Sequence, residues 1–190
     1  DPAALVVGWT GRSRARDVVL GTTVDTLVKR APCDLYVERV GREADGVASI
    51  LLPVAGGPHV DVAARAAAAI ADRNEARVHV VSVATAPDDV ATAEEFVAEG
   101  RDALPAVEGT TPPVETAVIE AADVTDAIVE AAGSHDVVVM GATRQGSLRR
   151  KIAGSVPRAV VERIDETVIL ARDAATAGGR FSRSGDAPER

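Results

Sequence analysis

Several residue types that would support common functions are scarce in this sequence. Aromatic residues make up only 2% of the chain, which excludes a platform of stacked aromatic side chains for single-stranded nucleic acid. The one cysteine, Cys33, excludes an intrachain disulfide and a cysteine-rich zinc site. No apolar run approaches the ~18 residues of a transmembrane helix, so we expect no membrane span. The net charge of −8 argues against nucleic acid as a partner, because its phosphates require a basic surface.

The sequence does contain enough aliphatic residues for a core, since 46% of it is hydrophobic. Between residues 49 and 172, short apolar runs alternate with helical patterns. The predicted strands are Ser49–Val54, Arg77–Val83, Val114–Ile119, Asp136–Met140 and Thr167–Ala171. The predicted helices are Asp61–Asn74, Asp88–Leu104, one capped by Asp123 and ending at Gly133, and Ser155–Arg163. This alternation predicts an α/β fold whose five-stranded parallel sheet is covered by helices on both faces.

The N-terminal segment of the chain repeats part of this pattern. Leu5–Gly8 matches Val138–Gly141, and Leu35–Val37 matches Val168–Leu170 at the same offset. We therefore interpret residues 1–40 as the C-terminal half of a first domain, 41–48 as a linker, 49–172 as a complete domain and 173–190 as a flexible tail. A half-domain buries too little surface to be stable alone, so we expect it to pack on the complete domain or on another chain.

Both copies contain the same loop pattern. A buried strand ends at a glycine, and thirteen residues later Gly-Thr (Gly21-Thr22) or Gly-Ser (Gly154-Ser155) begins a helix. Free amides and the positive end of the helix dipole would then face an anion such as phosphate. The alternative is that these glycines and hydroxyl residues serve only as turn and capping residues.

With this loop and the repeat, the sequence resembles the universal stress protein family. Nucleotide-binding members carry Gly-x2-Gly-x9-Gly-Ser/Thr after the fourth strand, and the first copy has it intact as Gly8, Gly11, Gly21 and Thr22. The resemblance implies an adenine nucleotide alpha hydrolase-like fold with strand order 3-2-1-4-5. It also implies an adenine nucleotide ligand, such as ATP, with magnesium only if the ligand is ATP.

By position, the family's adenine contacts fall on Pro53, Val54, Ala55 and Val83. Its ribose and phosphate contacts fall on Met140, Gly141, Arg144, Gly154, Ser155 and Val156. Two of these residues depart from the family pattern, since Ala55 stands where Asp is usual and Arg144 where the second glycine belongs. Arg144 would either pair with phosphate or fill the space that phosphate needs. The domain is accordingly either a nucleotide-binding module or a degenerate version that binds none.

Family members act through dimer or tandem contacts of their last strands, which points to Thr167–Leu170 and Asp34–Val37 as the interface. We therefore expect a cytoplasmic regulatory module that is not an enzyme and has no catalytic residues or metal site. Two alternatives stay open: a cytosolic regulatory domain of an amino-acid permease or cation/proton exchanger, and a weak nucleotide hydrolase. His59, His79 and His135 lie on three different predicted elements, and we interpret them as isolated and non-catalytic.

Overall fold

A computed structural model describes residues 3–9, 24, 26, 27, 30–42, 46–107, 109–142 and 155–174. The strands in chain order are β1 Ala4–Gly8, β2 Asp34–Arg39, β3 Ser49–Pro53, β4 Arg77–Ala84, β5 Val114–Glu120, β6 Val137–Gly141 and β7 Thr167–Arg172. The helices are α1 Val60–Asn74, α2 Val90–Asp102, α3 Val124–Ala132 and α4 Ser155–Arg163. A 3-10 turn, Pro87–Asp89, precedes α2 where the sequence predicted α-helix from Asp88.

The seven strands form one sheet in the order β1-β2-β7-β6-β3-β4-β5. Every neighbouring pair is parallel except β2 and β7. Counted from β3 to β7 along the chain, the last five strands have the predicted order 3-2-1-4-5, so the predicted fold class is confirmed. The sheet has seven strands rather than five, because β1 and β2 extend it beyond β7.

The internal repeat is also present in the strand pairing. Val7 pairs with Val37 between β1 and β2, and Met140 pairs with Leu170 between β6 and β7, so that both partners are shifted by the same offset along the sequence. The pair β1-β2 joins the strands β3 to β7 through β2 and β7, whose antiparallel register places Val37 opposite Leu170. The strands predicted as an interface therefore pair with each other within one chain.

Two arginines, one on β7 and one on β2, form hydrogen bonds across the contact between these two strands. Arg172, at the end of β7, is buried, and its Nη2 donates to the backbone carbonyls of Ala31 and Cys33 at 2.8 and 3.0 Å. In the reverse direction, Arg39 of β2 donates from Nη2 to two backbone carbonyls that follow α4, at 2.6 and 3.0 Å. Hydrogen bonds from a charged donor are stronger than those between neutral groups. Here they satisfy backbone carbonyls that are shielded from water, and they link residues near β2 to residues near β7.

Both faces of the sheet are covered, and β3 is an interior strand between β6 and β4. Ile50, Leu51 and Leu52 are each 0% exposed, which explains why β3 is a continuous apolar run rather than an alternating one. Ile50 and Leu52 pack with α1 on one face, whereas Leu51 packs with α3 and α4 on the other. Among the described residues, no helix has both the length and the apolar character needed to cross a membrane.

The chain beyond β7 begins differently from the prediction. Asp173 and Ala174 were assigned to the flexible tail, but their backbone amides donate to His59 Nδ1 at 3.1 Å and to Asp34 Oδ1 at 2.9 Å. The rest of the predicted tail, residues 175–190, lies outside the described residues. The predicted loop between β6 and α4 also lies outside them from residue 143 to 154.

Candidate functional site

A cavity of about 300 Å³ opens at the carboxyl ends of β3, β4 and β6. Because β4 and β6 flank β3 on opposite sides, the direction of winding reverses there. In parallel α/β sheets, this reversal leaves a crevice between the helices of the two faces, and ligands bind in it. All four of these helices contribute to its wall, α1 and α2 from one face and α3 and α4 from the other.

The cavity brings together half of the predicted binding residues. These seven come from strand ends and from the start of α4: Pro53, Val54, Ala55, Val83, Met140, Gly141 and Val156. Ser155 is the first residue of α4, next to Val156 on the wall, although its side chain is not among those described. Arg144 and Gly154 lie outside the described residues.

Gly8, the first residue of the predicted glycine pattern in the first copy, does not line this cavity. Gly8 ends β1, which is separated from β6 by β2 and β7, and nothing lies within 4 Å of the Cβ position at Gly8. Gly11, Gly21 and Thr22 lie outside the described residues. The prediction of Gly8 as a residue of the same site is therefore wrong, because the sheet order places β1 three strands away from β6.

Sequence reasoning missed the polar residues of the wall, which are His59, Ser82, Asp89 and Thr92, and the ring of Phe96. Ser82 lies near the end of β4, and the other four lie in or just before helices that follow β3 and β4. The signal that could have found them is their position, since segments that follow parallel strands gather at the same edge of the sheet. Their spacing matches no motif, so a motif search overlooks them.

His59 forms the corner of the cavity between α1 and β6. It is only 4% exposed, its Nδ1 accepts the Asp173 amide, and its carbonyl accepts the Ala63 amide at 3.1 Å in the first turn of α1. A Cβ at Gly141 would lie 2.9 Å from the His59 Cβ, closer than such atoms approach in proteins. Glycine is therefore required at the end of β6 to let the backbone pass this histidine.

Phe96 of α2 covers the turn that follows β3. Gly56 has φ of +66°, and a Cβ there would lie 2.6 Å from Phe96 Cε1, so both the backbone conformation and the close ring call for glycine. The aromatic ring thus contacts the turn on one side and lines the cavity on the other. It provides a flat apolar surface in a protein that has very few of them.

The two ends of the cavity differ in electrostatic character, with a carboxylate at one end and a helix N-terminus at the other. At the β4 end, Asp89 Oδ2 accepts a hydrogen bond from Thr85 Oγ1 at 2.9 Å, and its side chain caps no backbone amide of α2. At the β6 end, Val156 and Pro157 place the first turn of α4 on the wall, where the positive end of the helix dipole favours an anion. The wall between these ends is mostly aliphatic.

The prediction that the histidines are isolated is wrong for His79 and His135. His79 Nδ1 lies 2.9 Å from His135 Nε2, and their rings are nearly perpendicular with centroids 4.7 Å apart. His79 Nε2 is 3.1 Å from Glu115 Oε2. Burial, and then the neighbouring His135, lowers the pKa of His79. Neither ring lines the cavity, and no cluster of three or more metal-ligating side chains occurs in the described part of the chain.

Comparisons with known proteins agree with this architecture. The structure of a universal stress protein from Archaeoglobus fulgidus in complex with dAMP has a TM-score of 0.54 and 20% identity, covering 65% of this chain and 97% of that one. A universal stress protein in complex with cAMP has a TM-score of 0.56 and 19% identity, covering 68% and 99%. A universal stress protein from Archaeoglobus fulgidus DSM 4304 has a TM-score of 0.59 and 18% identity. It covers 90% of this chain, which spans 61% of that longer one.

No curated protein sequence gives a significant match to this chain. The model of the universal stress protein family, however, matches residues 47–172, which include β3 to β7 and every residue that lines the cavity. A match over most of the chain identifies the family, whereas the low sequence identities to the solved structures show only a shared fold. The chain therefore belongs to the universal stress protein family.

Proposed function

We propose that the cavity binds an adenine nucleotide and that the chain acts as a regulatory binding module rather than as an enzyme. The observation that carries this proposal is the convergence of strand ends, apolar walls and the first turn of α4 on one cavity at the switch point of the sheet. Solved relatives described as complexes with dAMP and cAMP support the choice of an adenine nucleotide.

The two ends of the cavity suit the two parts of a nucleotide. The phosphate faces the start of α4, where the positive end of the helix dipole stabilises negative charge. The nucleoside lies against the aliphatic wall and the Phe96 ring. At about 300 Å³, the cavity is at the small end of ligand sites, which favours a monophosphate over a triphosphate within the described walls. Magnesium enters this proposal only if the bound nucleotide is ATP.

The cavity is also connected to the junction between the two units. His59 lines the cavity, and its ring accepts the amide of Asp173, the first residue after β7. The neighbouring Ala174 amide is held by Asp34 at the start of β2. A nucleotide that fixes His59 therefore also fixes the segment that links β7 with β2. Regulation through such a contact is a shift in populations and requires no bond cleavage.

The test is calorimetry and thermal unfolding of the 190-residue chain with AMP, cAMP, ADP and ATP. At about 100 times Kd, a bound nucleotide adds about 2.7 kcal/mol to the free energy of unfolding. Ala55→Phe places a ring at the exposed rim of the cavity and should abolish binding, whereas Ala69→Phe, on the exposed face of α1, is the matched control. Absence of heat and of thermal shift with all four nucleotides would refute the proposal.

A further inference from the structure

We infer that Asp89 determines the base specificity of this cavity, by accepting a hydrogen bond from the exocyclic amino group of adenine. At the same position a 6-oxo purine such as hypoxanthine presents a carbonyl oxygen, which cannot donate a hydrogen bond to the carboxylate. This inference rests on the proposed nucleotide binding and adds a residue that selects among nucleotides. Asp89 lies in the 3-10 turn before α2, and not in the predicted glycine loop or at the end of a strand.

The topology orients the ligand. Asp89 follows β4, whereas α4 begins beside β6, and β3 lies between these two strands. Two interstrand spacings therefore separate the two ends, roughly 10 Å along the sheet. The carboxylate repels phosphate and the helix dipole attracts it, so the phosphate occupies the α4 end. The base, at the opposite end of the nucleotide, consequently lies at the β4 end beside Asp89.

Among the polar residues of the wall, Asp89 is the one suited to recognise a hydrogen-bond donor on the base. Asp89 is the one carboxylate among the described residues that line the cavity, and the hydroxyls of Ser82 and Thr92 both donate and accept. An ionised carboxylate only accepts hydrogen bonds, so it distinguishes an amino group from a carbonyl where a hydroxyl does not. The hydroxyl of Thr85 holds Asp89 Oδ2 at 2.9 Å and thereby orients the carboxylate.

The size of the effect follows from the charge and the exposure of this group. Hydrogen bonds to charged groups correspond to about ten- to hundredfold in affinity, and a site built to bind a donor rejects the analogue that lacks it. Asp89 lies at the exposed rim, where water competes for the carboxylate. We therefore expect the lower end of this range, a preference of about tenfold for AMP over IMP.

The experiment compares AMP and IMP by calorimetry on the 190-residue chain. Asp89→Asn supplies an amide NH2 that donates to a 6-oxo group, so the preference should invert or fall to about equal affinity. Asp89→Ala should remove the preference without creating the reverse one. Asp88→Asn changes the neighbouring carboxylate of the same 3-10 turn, which does not line the cavity, and should leave the AMP preference unchanged.

The outcomes separate the two proposals. Equal binding of AMP and IMP by the wild-type chain overturns the role of Asp89 and leaves nucleotide binding intact, as does a preference that persists in Asp89→Asn. A chain that binds neither nucleotide overturns the proposed function and this inference with it. Because Asp89 is exposed, its variants are expected to keep the wild-type unfolding temperature, and circular dichroism checks this for each of them.

Discussion

Adding one methyl group to Gly141 should destabilise the protein, whereas the same change at Gly133 should stabilise it. At Gly141 the new Cβ would lie 2.9 Å from His59 Cβ and 3.4 Å from the His59 carbonyl oxygen. His59 cannot give way freely, because its ring is bonded to the Asp173 amide and its carbonyl to the Ala63 amide. Either β6 or the first turn of α1 must therefore shift.

The two free energies can be estimated from the same structure. Overpacking of this kind costs about 1–3 kcal/mol, and replacing glycine by alanine recovers about 0.4–1 kcal/mol by restricting the unfolded chain. Gly141→Ala should thus lower the free energy of unfolding by about 1–2 kcal/mol. Gly133 has φ of −60°, and its Cβ position has only an ordinary contact, 3.5 Å from the Glu130 carbonyl oxygen. Gly133→Ala should therefore gain the full entropic term, about 0.4–1 kcal/mol.

Urea unfolding followed by circular dichroism measures both variants. The midpoint should fall for Gly141→Ala and rise for Gly133→Ala while the slope stays unchanged, since neither substitution alters the surface exposed on unfolding. If Gly141→Ala were as stable as the wild type, the close packing of His59 against β6 would be incorrect. The reasoning about the corner of the cavity would fail with it.

Two further predictions concern the pH dependence of stability, through Asp136 and through His79. Burial alone would raise the pKa of Asp136, but hydrogen bonds from the amides of Ala48 and Ser49 and from the Ser49 hydroxyl hold it below the ordinary value. The stabilisation by Asp136 is therefore complete above about pH 4 and is lost as pH falls through the lower pKa of the folded state. Asp136→Asn should lower the free energy of unfolding by about 1 kcal/mol at neutral pH. It should also reduce the fall of the urea midpoint at acidic pH. For His79, burial and then His135 lower the pKa, so the unfolded chain binds more protons and stability should decline as pH falls below about 6.5. His79→Gln should flatten the dependence of the urea midpoint on pH between about pH 5 and 7, and a profile equal to that of the wild type would contradict the lowered pKa of His79.

Local sequence patterns predicted the elements well because the forces behind them are local or periodic. The continuous apolar run of β3 indicated a strand buried on both faces, and residues 50–52 are fully buried. Asp123 was predicted as a helix cap, and its carboxylate accepts the Asp126 amide at 2.9 Å. The repeat predicted that Leu5–Gly8 and Val138–Gly141 occupy equivalent strands, and their registers correspond.

Part of the cavity was predictable for a related reason. The alternation of strands and helices predicted a site at the carboxyl ends of parallel strands. The family resemblance then pointed to Pro53, Val54, Val83 and Met140, and all four line the cavity. Asp89 and Phe96 could not be singled out in this way. Their place on the wall depends on how far α2 rotates and how closely it packs on the sheet, which no spacing in the sequence reports.

Contacts between distant parts of the chain lay beyond the sequence. The His79–His135 contact and the bond from the Asp173 amide to His59 join residues separated by more than fifty positions. The family resemblance pointed to β2 and β7 as an interface, but it did not predict that they pair antiparallel within one chain. The amino-acid pattern dictated which segments become strands and helices, because hydrophobic periodicity and capping act over a few residues. Which strand edges and which side chains come into contact was decided only by the tertiary structure. Many pairings would bury apolar surface and satisfy the backbone hydrogen bonds, and the packing of the whole sheet determines which of them forms.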